Sequence, residues 1–182
     1  MTSFIIGAHT NRSIPTEWKD DADSDCPFCR IVAGEMPSTR VYEDDKVLAI
    51  LDILPLRHGH TLVIPKAHYS RVSELPPEYA GAVGQAVTKV AHGLTKALGN
   101  TALNVVCNQE YAQAVPHVHY HIIPAPSFDS SAGAGVLGIV KEKEDGKIPL
   151  TRGEMHQQEF ESREELDVDE GKSLAVKIRA SL

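Results

Sequence analysis

His117-Val118-His119-Tyr120-His121-Ile122-Ile123-Pro124 sets histidine at every second position with apolar residues between. Period 2 is what an extended strand sorts onto two faces. The stretch therefore predicts a β-strand with His117, His119 and His121 on one side and Val118, Tyr120 and Ile122 turned into a core. At roughly 3.3 Å per residue, neighbouring imidazoles stand about 6.6 Å apart and the outer pair about twice that. Two of them can reach one metal ion, with Zn–N bonds of about 2.0–2.1 Å, but three in a flat row do not easily share one. A row at this pitch suits a group with several acceptor oxygens, such as a phosphate. A single such histidine would read as a satisfied polar residue at a strand edge, which does not account for three in register.

Working outward, Leu103-Asn104-Val105-Val106-Cys107-Asn108 predicts the strand before it, with Cys107 a small core residue. Before that lies a long helix. Pro76-Pro77 stand at its entrance, Glu78 suits the positive end, and Tyr79, Val83, Ala86, Val87, Val90, Leu94 and Leu98 recur at helical spacing until Gly99 stops them. His92 falls off that stripe and is expected in solvent. His60-Thr61-Leu62-Val63-Ile64-Pro65 predicts a further strand, after a loop over Leu54 to Gly59. Arg40-Val41-Tyr42 and Val47 to Leu51 predict a hairpin turning at Glu43-Asp44-Asp45-Lys46. A short helix carrying Phe28, Ile31 and Val32 ends at Gly34.

Residues 1–25 read as an arm without periodicity, and Ser130-Ser131-Ala132-Gly133-Ala134-Gly135 as a connector. Gly133, Gly135 and Gly138 fit the spacing of a dinucleotide fingerprint, but no strand–helix unit surrounds them and no Lys-Ser/Thr ending follows. Asp167-x-x-Glu170 resembles a capping box. Leu174, Ile178 and Leu182 share one face, so the chain is expected to end on an amphipathic helix.

Composition bounds the function. The 182 residues, 42% hydrophobic and 24% charged, fit one soluble domain with extensions. A net charge of −7 argues against nucleic acid as a partner. No apolar run approaches the ~18 residues of a membrane helix. Met1 to Ile6 show no basic leader, so no signal peptide is expected and the compartment expected is cytoplasmic, with nuclear access open. In that setting Cys26-Pro27-Phe28-Cys29 reads as metal or redox chemistry, and a thioredoxin-like context is missing.

In order and in residues, the chain resembles the histidine triad (HIT) superfamily, closest to its zinc-containing Hint-like members. Its motif of three histidines alternating with apolar residues is matched by 117–123. The upstream signature is matched by Tyr42-Glu43-Asp44, Leu51-Asp52-Ile53 and Gly59-His60-Thr61-Leu62-Val63-Ile64-Pro65-Lys66-x-His68. The resemblance covers about residues 26–126. It implies an α+β fold: an antiparallel five-stranded sheet with one long and one short helix, here with an arm (1–25) and a C-terminal extension (127–182) ending in a helix.

The resemblance also implies a nucleotidyl hydrolase or transferase acting at the α-phosphate of a purine nucleoside monophosphate derivative, of the adenylate phosphoramidate type. His119 takes the nucleophile's place, with His117 beside it, His121 donating to non-bridging oxygens and His60 orienting the group. Neutral imidazole is a competent nucleophile at pH 7, and its phosphoryl adduct is labile to water. Asp52 matches the residue that binds the ribose hydroxyls. Asn108 and Gln113 sit where relatives place polar residues ahead of the triad. Phe28, Ile31 and Ile53 lie where the base pocket is walled, and plain core explains them equally well. Cys26, Cys29, His68 and His117 correspond to the quartet that holds structural Zn²⁺ in zinc-containing members. A homodimer through the long helix and fourth strand is also implied.

Ala114 stands where relatives often carry a hydroxyl, and Ala125 replaces an arginine that often follows the strand's proline. The extension differs from the short Hint tail. These departures bear on the substrate rather than the reaction class. The alternatives are a Fhit-like dinucleoside polyphosphate hydrolase and a non-catalytic nucleotide-binding scaffold. The first usually lacks the zinc quartet, and the second sits poorly with an intact triad and Asp52.

Overall fold

The computed structural model describes residues 26–110, 112–125, 157 and 160–182. The expected arm, and the Gly-rich connector with its fingerprint-like glycines, lie outside the described residues.

Helix α1 (Pro27–Val32) opens on Pro27, whose missing N–H costs nothing in a first turn, and ends before Gly34 at φ +79°. Strands β1 (Arg40–Glu43) and β2 (Val47–Leu51) form the expected hairpin. Its turn is shorter than expected because Asp44 Oδ1 accepts from the backbone N–H of both Lys46 and Val47, at 2.8 and 2.7 Å. That Asx closure lets Glu43 stay in the strand. Strands β3 (Thr61–Pro65), β4 (Leu103–Cys107) and β5 (Tyr120–Pro124) complete an antiparallel sheet of order β1-β2-β3-β5-β4.

The sheet is covered on both faces, which explains why β2 and β3 are near-continuous apolar runs buried along their whole length. Val47, Ala49, Leu51, Val63 and Ile122 pack towards the long helix α2 (Pro77–Leu98), on Val83, Ala86, Val90 and Leu94. Leu48, Ile50, Leu62 and Ile64 face the other way, onto Phe28 and Ile31 of α1. Gly99, at φ +63°, ends α2 as expected, and His92 is exposed.

The C-terminal helix α3 (Val168–Arg179) belongs to the same core. Leu174, Ala175 and Ile178 join the α2 cluster, Leu174 and Ile178 each contributing about 1.5–3 kcal/mol on burial. Gly93 makes the crossing possible: a Cβ there would meet Leu182 Cδ2 at 2.8 Å and the Ile178 carbonyl at 3.3 Å. Asp167 caps α3 by accepting from Asp169 and Glu170 N–H groups. Only half of the capping box forms, because the Glu170 carboxylate lies 3.0 Å from His58 Nδ1 instead.

The histidine stretch departs from expectation in one respect. The paired strand begins at Tyr120, not His117, because the Val118 N–H bonds the Tyr69 carbonyl at 2.7 Å outside the ladder. The alternation survives: Val118 and Ile122 are buried on the α2 side, and His121 pairs in register with Leu62, which faces α1.

Candidate active site and metal centre

The triad lies against α1. The Phe28 ring meets His119 edge-on at 5.1 Å between centroids and His117 at 5.8 Å. His119 and His121 stand 4.8 Å apart in a T-shaped pair, closer than the pitch of an ideal strand because the imidazoles lean together. His117 and His119 are buried.

Hydrogen bonds to carbonyls fix the tautomers, since only an N–H can donate to them. His119 Nδ1 lies 2.6 Å from the His117 carbonyl, so it carries the proton and Nε2 keeps a free lone pair. Burial lowers the His119 pKa below its ordinary value, which keeps that lone pair available at neutral pH. The Leu56 N–H donates to His60 Nδ1 at 3.1 Å, so in neutral His60 the proton is on Nε2. That Nε2 lies 3.0 Å from His121 Nδ1, which therefore accepts and leaves His121 with an Nε2–H donor. His121 is pushed down to about 3 by burial and by His119.

Asp52 Oδ2 is 3.3 Å from His60 Nδ1. This is not an ion pair near neutrality, because burial, then the charges of His121, Arg163, His119 and Arg57, hold His60 well below its ordinary value. Asp52 also accepts from the Leu54 N–H at 2.9 Å, and burial raises its carboxyl. Asp52, His60 and His121 bring ligand-type atoms within 4.8 Å of one another. They do not converge on one point, since His60 turns Nδ1 to Asp52 and Nε2 to His121. His60 and His121 form a hydrogen-bonded pair with Asp52 beside it, rather than a metal cage.

The second cluster does converge. Cys26, Cys29, His68 and His117 place one ligand atom each within 4.8 Å of the others. His117 Nε2 donates to the Pro65 carbonyl at 2.8 Å, which leaves Nδ1 facing the Cys26 and Cys29 sulfurs at 3.5 and 3.6 Å. A second-shell carbonyl of this kind is how a metal-binding imidazole is oriented. His68 Nδ1 is 3.2 Å from Cys29 Sγ, while its Nε2 is buried with no hydrogen-bond partner. Burial and Cys26 push the Cys29 thiol up to about 12, so the thiolate this donor set offers is one that a cation would stabilise. Two thiols and two imidazoles with so few other partners fit a tetrahedral ion. His117, expected in both the catalytic and metal sets, has both ring nitrogens committed here.

The remaining expected site residues fall in several environments. Gln113 is buried, and its amide is spent within the chain: Oε1 accepts from Glu110 N–H at 2.7 Å, and Nε2 donates to the Ser70 carbonyl at 2.9 Å. It clamps the loop before the triad, where Glu110 and Ala112 are held at positive φ. Asn108 is half-buried just past β4. Phe28 and Ile31 are core residues, whereas Ile53 is 67% exposed beside Asp52.

Sequence reasoning missed a segment of the extension. The Leu166 N–H donates to the Ile53 carbonyl at 2.9 Å, and the Arg163 guanidinium lies over the Phe160 ring at 3.7 Å. No periodicity marks residues 160–166, so nothing in the sequence tied them to this end of the sheet.

The chain is 43% identical over 108 residues to the adenylylsulfatase HINT3 of Arabidopsis thaliana, a match covering 58% of this chain and 55% of the relative. This chain thus spans about half of that protein. It is 42% identical over 112 residues to the adenosine 5′-monophosphoramidase hnt1 of Schizosaccharomyces pombe, covering 60% of this chain and 81% of the relative. Among solved structures it resembles a Zn-bound histidine triad family protein from Mycobacterium smegmatis, with a TM-score of 0.62 and 28% identity, over 86% of this chain and 92% of that one. The HIT domain model matches residues 33–127, slightly more than half of the chain, and the protein belongs to the HIT family.

Proposed function

We propose that this chain is a nucleotidyl hydrolase or transferase that cleaves at the α-phosphate of purine nucleoside monophosphate derivatives, adenylate amides first among them. The observation that carries this reading is His119: a buried, neutral imidazole whose Nδ1 proton is tied to the main chain and whose Nε2 lone pair is free. Two relatives named for cleavage of adenylyl sulfate and of adenosine monophosphoramidate support it.

In the proposed reaction His119 Nε2 attacks phosphorus. The P–N bond forms as the bond to the leaving group breaks, and the leaving group departs with that electron pair. His121 donates its Nε2–H to a non-bridging oxygen, where charge builds in the transition state. His60 holds His121 in that tautomer, and Asp52 accepts from the ribose hydroxyls. Water then attacks phosphorus, the P–Nε2 pair returns to His119, and the nucleoside monophosphate leaves as the water's proton passes to solvent. Phe28, whose ring meets His119, and exposed Ile53 beside Asp52 are the side chains proposed to wall the base.

Zinc is the metal proposed for Cys26, Cys29, His68 and His117. With all four positions taken by protein, it would supply folding energy and pin α1 to His117 rather than take part in the chemistry. The proposed assembly is a homodimer through α2 and β4, where Val105 is 45% exposed on the edge strand. The proposed compartment is the cytoplasm, with access to the nucleus.

The test is turnover on a panel of adenylate amides, adenylyl sulfate and dinucleoside polyphosphates, read as AMP released. Release from the amide is expected. No AMP from any member of the panel would overturn the reading.

A further inference from the structure

A nucleotide brings negative charge to a site whose histidines are poorly placed to balance it. Burial holds His60 and His121 below their ordinary pKa, so both are neutral near pH 7. Asp52, when ionised, adds a further negative charge. The cations whose fields reach this pair are two guanidiniums, Arg57 and Arg163, both felt at His60, with Arg163 also felt at Asp52. Arg57 reaches across to the Pro124 carbonyl at 3.3 Å. Arg163 is held differently.

Its Nε donates to the Phe160 carbonyl at 2.9 Å, and the guanidinium lies over the Phe160 ring at 3.7 Å. No carboxylate among the described residues forms an ion pair with it. The fork is thus oriented by stacking and by one backbone bond, and its terminal nitrogens stay available, which is the arrangement that suits bidentate recognition of an oxyanion. The segment is anchored beside the site as well. Leu166 bonds the carbonyl of Ile53, the residue after Asp52, and Glu170 holds His58 in the loop leading to His60. Gly171 lets Leu166 pack close, since a Cβ there would sit 3.0 Å from Leu166 Cδ2. Phe160, Arg163, Leu166, Glu170 and Gly171 all lie beyond the residues that the HIT domain model covers.

We propose that Arg163, stacked on Phe160 in a segment that Leu166 anchors at Ile53, is a specificity-determining residue that binds a phosphate or sulfate group carried by the nucleotide in addition to its α-phosphate. The inference rests on the nucleotide reading above and narrows it to a substrate class. The extra oxyanion has two possible sources. It is a phosphate on the ribose, whose end of the site Asp52 and Ile53 mark, or it belongs to the leaving group beyond the α-phosphorus. Ala114 and Ala125 offer such a group nothing polar, so the extension supplies what those positions lack.

The experiment uses the full chain as wild type, Arg163→Gln and Arg163→Lys, titrated calorimetrically with AMP, ADP and adenosine 3′,5′-bisphosphate at one ionic strength. Arg163→Gln is expected to lose at least tenfold more affinity for ADP or for the bisphosphate than for AMP, and Arg163→Lys to recover part of that loss. A selective loss on ADP assigns the oxyanion to the leaving-group side, and one on the bisphosphate assigns it to the ribose. Equal losses on all three ligands, no loss on any, or no binding of any of them to the wild type would each overturn the proposal. Failure of the reaction reading is separate: it appears as no AMP released from any member of the substrate panel, which these titrations do not depend on.

Discussion

His119 Nδ1 is 2.6 Å from the carbonyl oxygen of His117, two residues earlier in the same chain. The hydrogen bond that orients the proposed nucleophile therefore comes from the main chain just ahead of β5, not from another side chain. Rotation of the ring would leave the buried Nδ1–H unpaired, at a cost of about 1–3 kcal/mol, and leave the His117 carbonyl with only the longer 3.4 Å bond from Gln113 Nε2.

From that geometry, His119→Ala and His119→Asn should abolish turnover while leaving nucleotide affinity within about tenfold of wild type, because binding rests largely on Asp52 and the pocket walls. Mass spectrometry after an acid-free quench should find a nucleotidyl adduct on His119 in the wild type. Wild-type rates in either variant would remove His119 from the nucleophile's place.

The Cys–His quartet makes a different prediction. Zinc should be stoichiometric in protein purified without chelator, and Cys26→Ser should lower stability more than it lowers activity per folded molecule. A metal closed in by four protein ligands contributes to folding, and its loss need not touch Nε2 of His119. Metal analysis showing none, or an activity loss far exceeding the stability loss, would contradict this.

Acid should unfold the protein in a window set by its buried histidines. His60, His119 and His121 have folded pKa values below the ordinary 6.5, His121 at about 3, so below pH 6.5 the unfolded chain binds more protons than the folded one. Their contribution is fully present above the unfolded pKa and is lost as pH falls through the folded values. Each such group can steepen the fall by up to about 1.4 kcal/mol per pH unit. Asp52, raised by burial, acts in the opposite sense, but it is one group against three. Urea midpoints should decline from pH 6.5 to 4.5, with a shallower slope in His121→Gln. A flat profile would be inconsistent with neutral buried histidines.

Much of this molecule was legible because burial on two sheet faces forces visible patterns. The run Val47 to Leu51, the alternation of 117–123 and the stripe from Tyr79 to Leu98 each leave their period in the sequence. The two clusters were legible because their residues fall on a known family pattern, in order. What stayed hidden depends on partners far away in the chain. The bond from Val118 to Tyr69 that delays β5, the spending of the Gln113 amide on Glu110 and Ser70, and the docking of Ile178 at Gly93 have no local signature. The segment that carries Arg163 is hidden for the same reason: its tie to this end of the sheet is the backbone bond from Leu166 to Ile53.

The docking of α3 has a measurable weight. Ile178 is fully buried between α2 and the sheet, so Ile178→Ala should cost about 2–5 kcal/mol through lost transfer energy and a residual cavity. The exposed Val176 on the opposite face should tolerate Val176→Ala with a change below about 0.5 kcal/mol. Comparable denaturant midpoints for the two variants would mean that the C-terminal helix does not share the sheet's core in solution.

The leaving group supplies the last prediction. An amine departing from phosphorus must be protonated, and in relatives the family pattern places a hydroxyl at the position held here by exposed Ala114. His117 cannot take over, since its Nε2 is bonded to the Pro65 carbonyl and its Nδ1 faces the two cysteine sulfurs. A positioned acid is typically worth about 10²–10⁴ in rate, roughly 3–5 kcal/mol. Leaving groups that depart as stable anions, such as sulfate or a nucleoside phosphate, need no such donor. The preference for amines over anionic leaving groups should therefore be smaller here than in relatives with the hydroxyl. Ala114→Ser, assayed side by side on an adenylate amide and a dinucleoside polyphosphate, should raise the amide rate relative to the polyphosphate rate. If both rates move together, or if the wild type already strongly favours the amide, another group delivers the proton. The His60–His121 pair would then be the next place to look, because its tautomers leave His121 with an Nε2–H to donate.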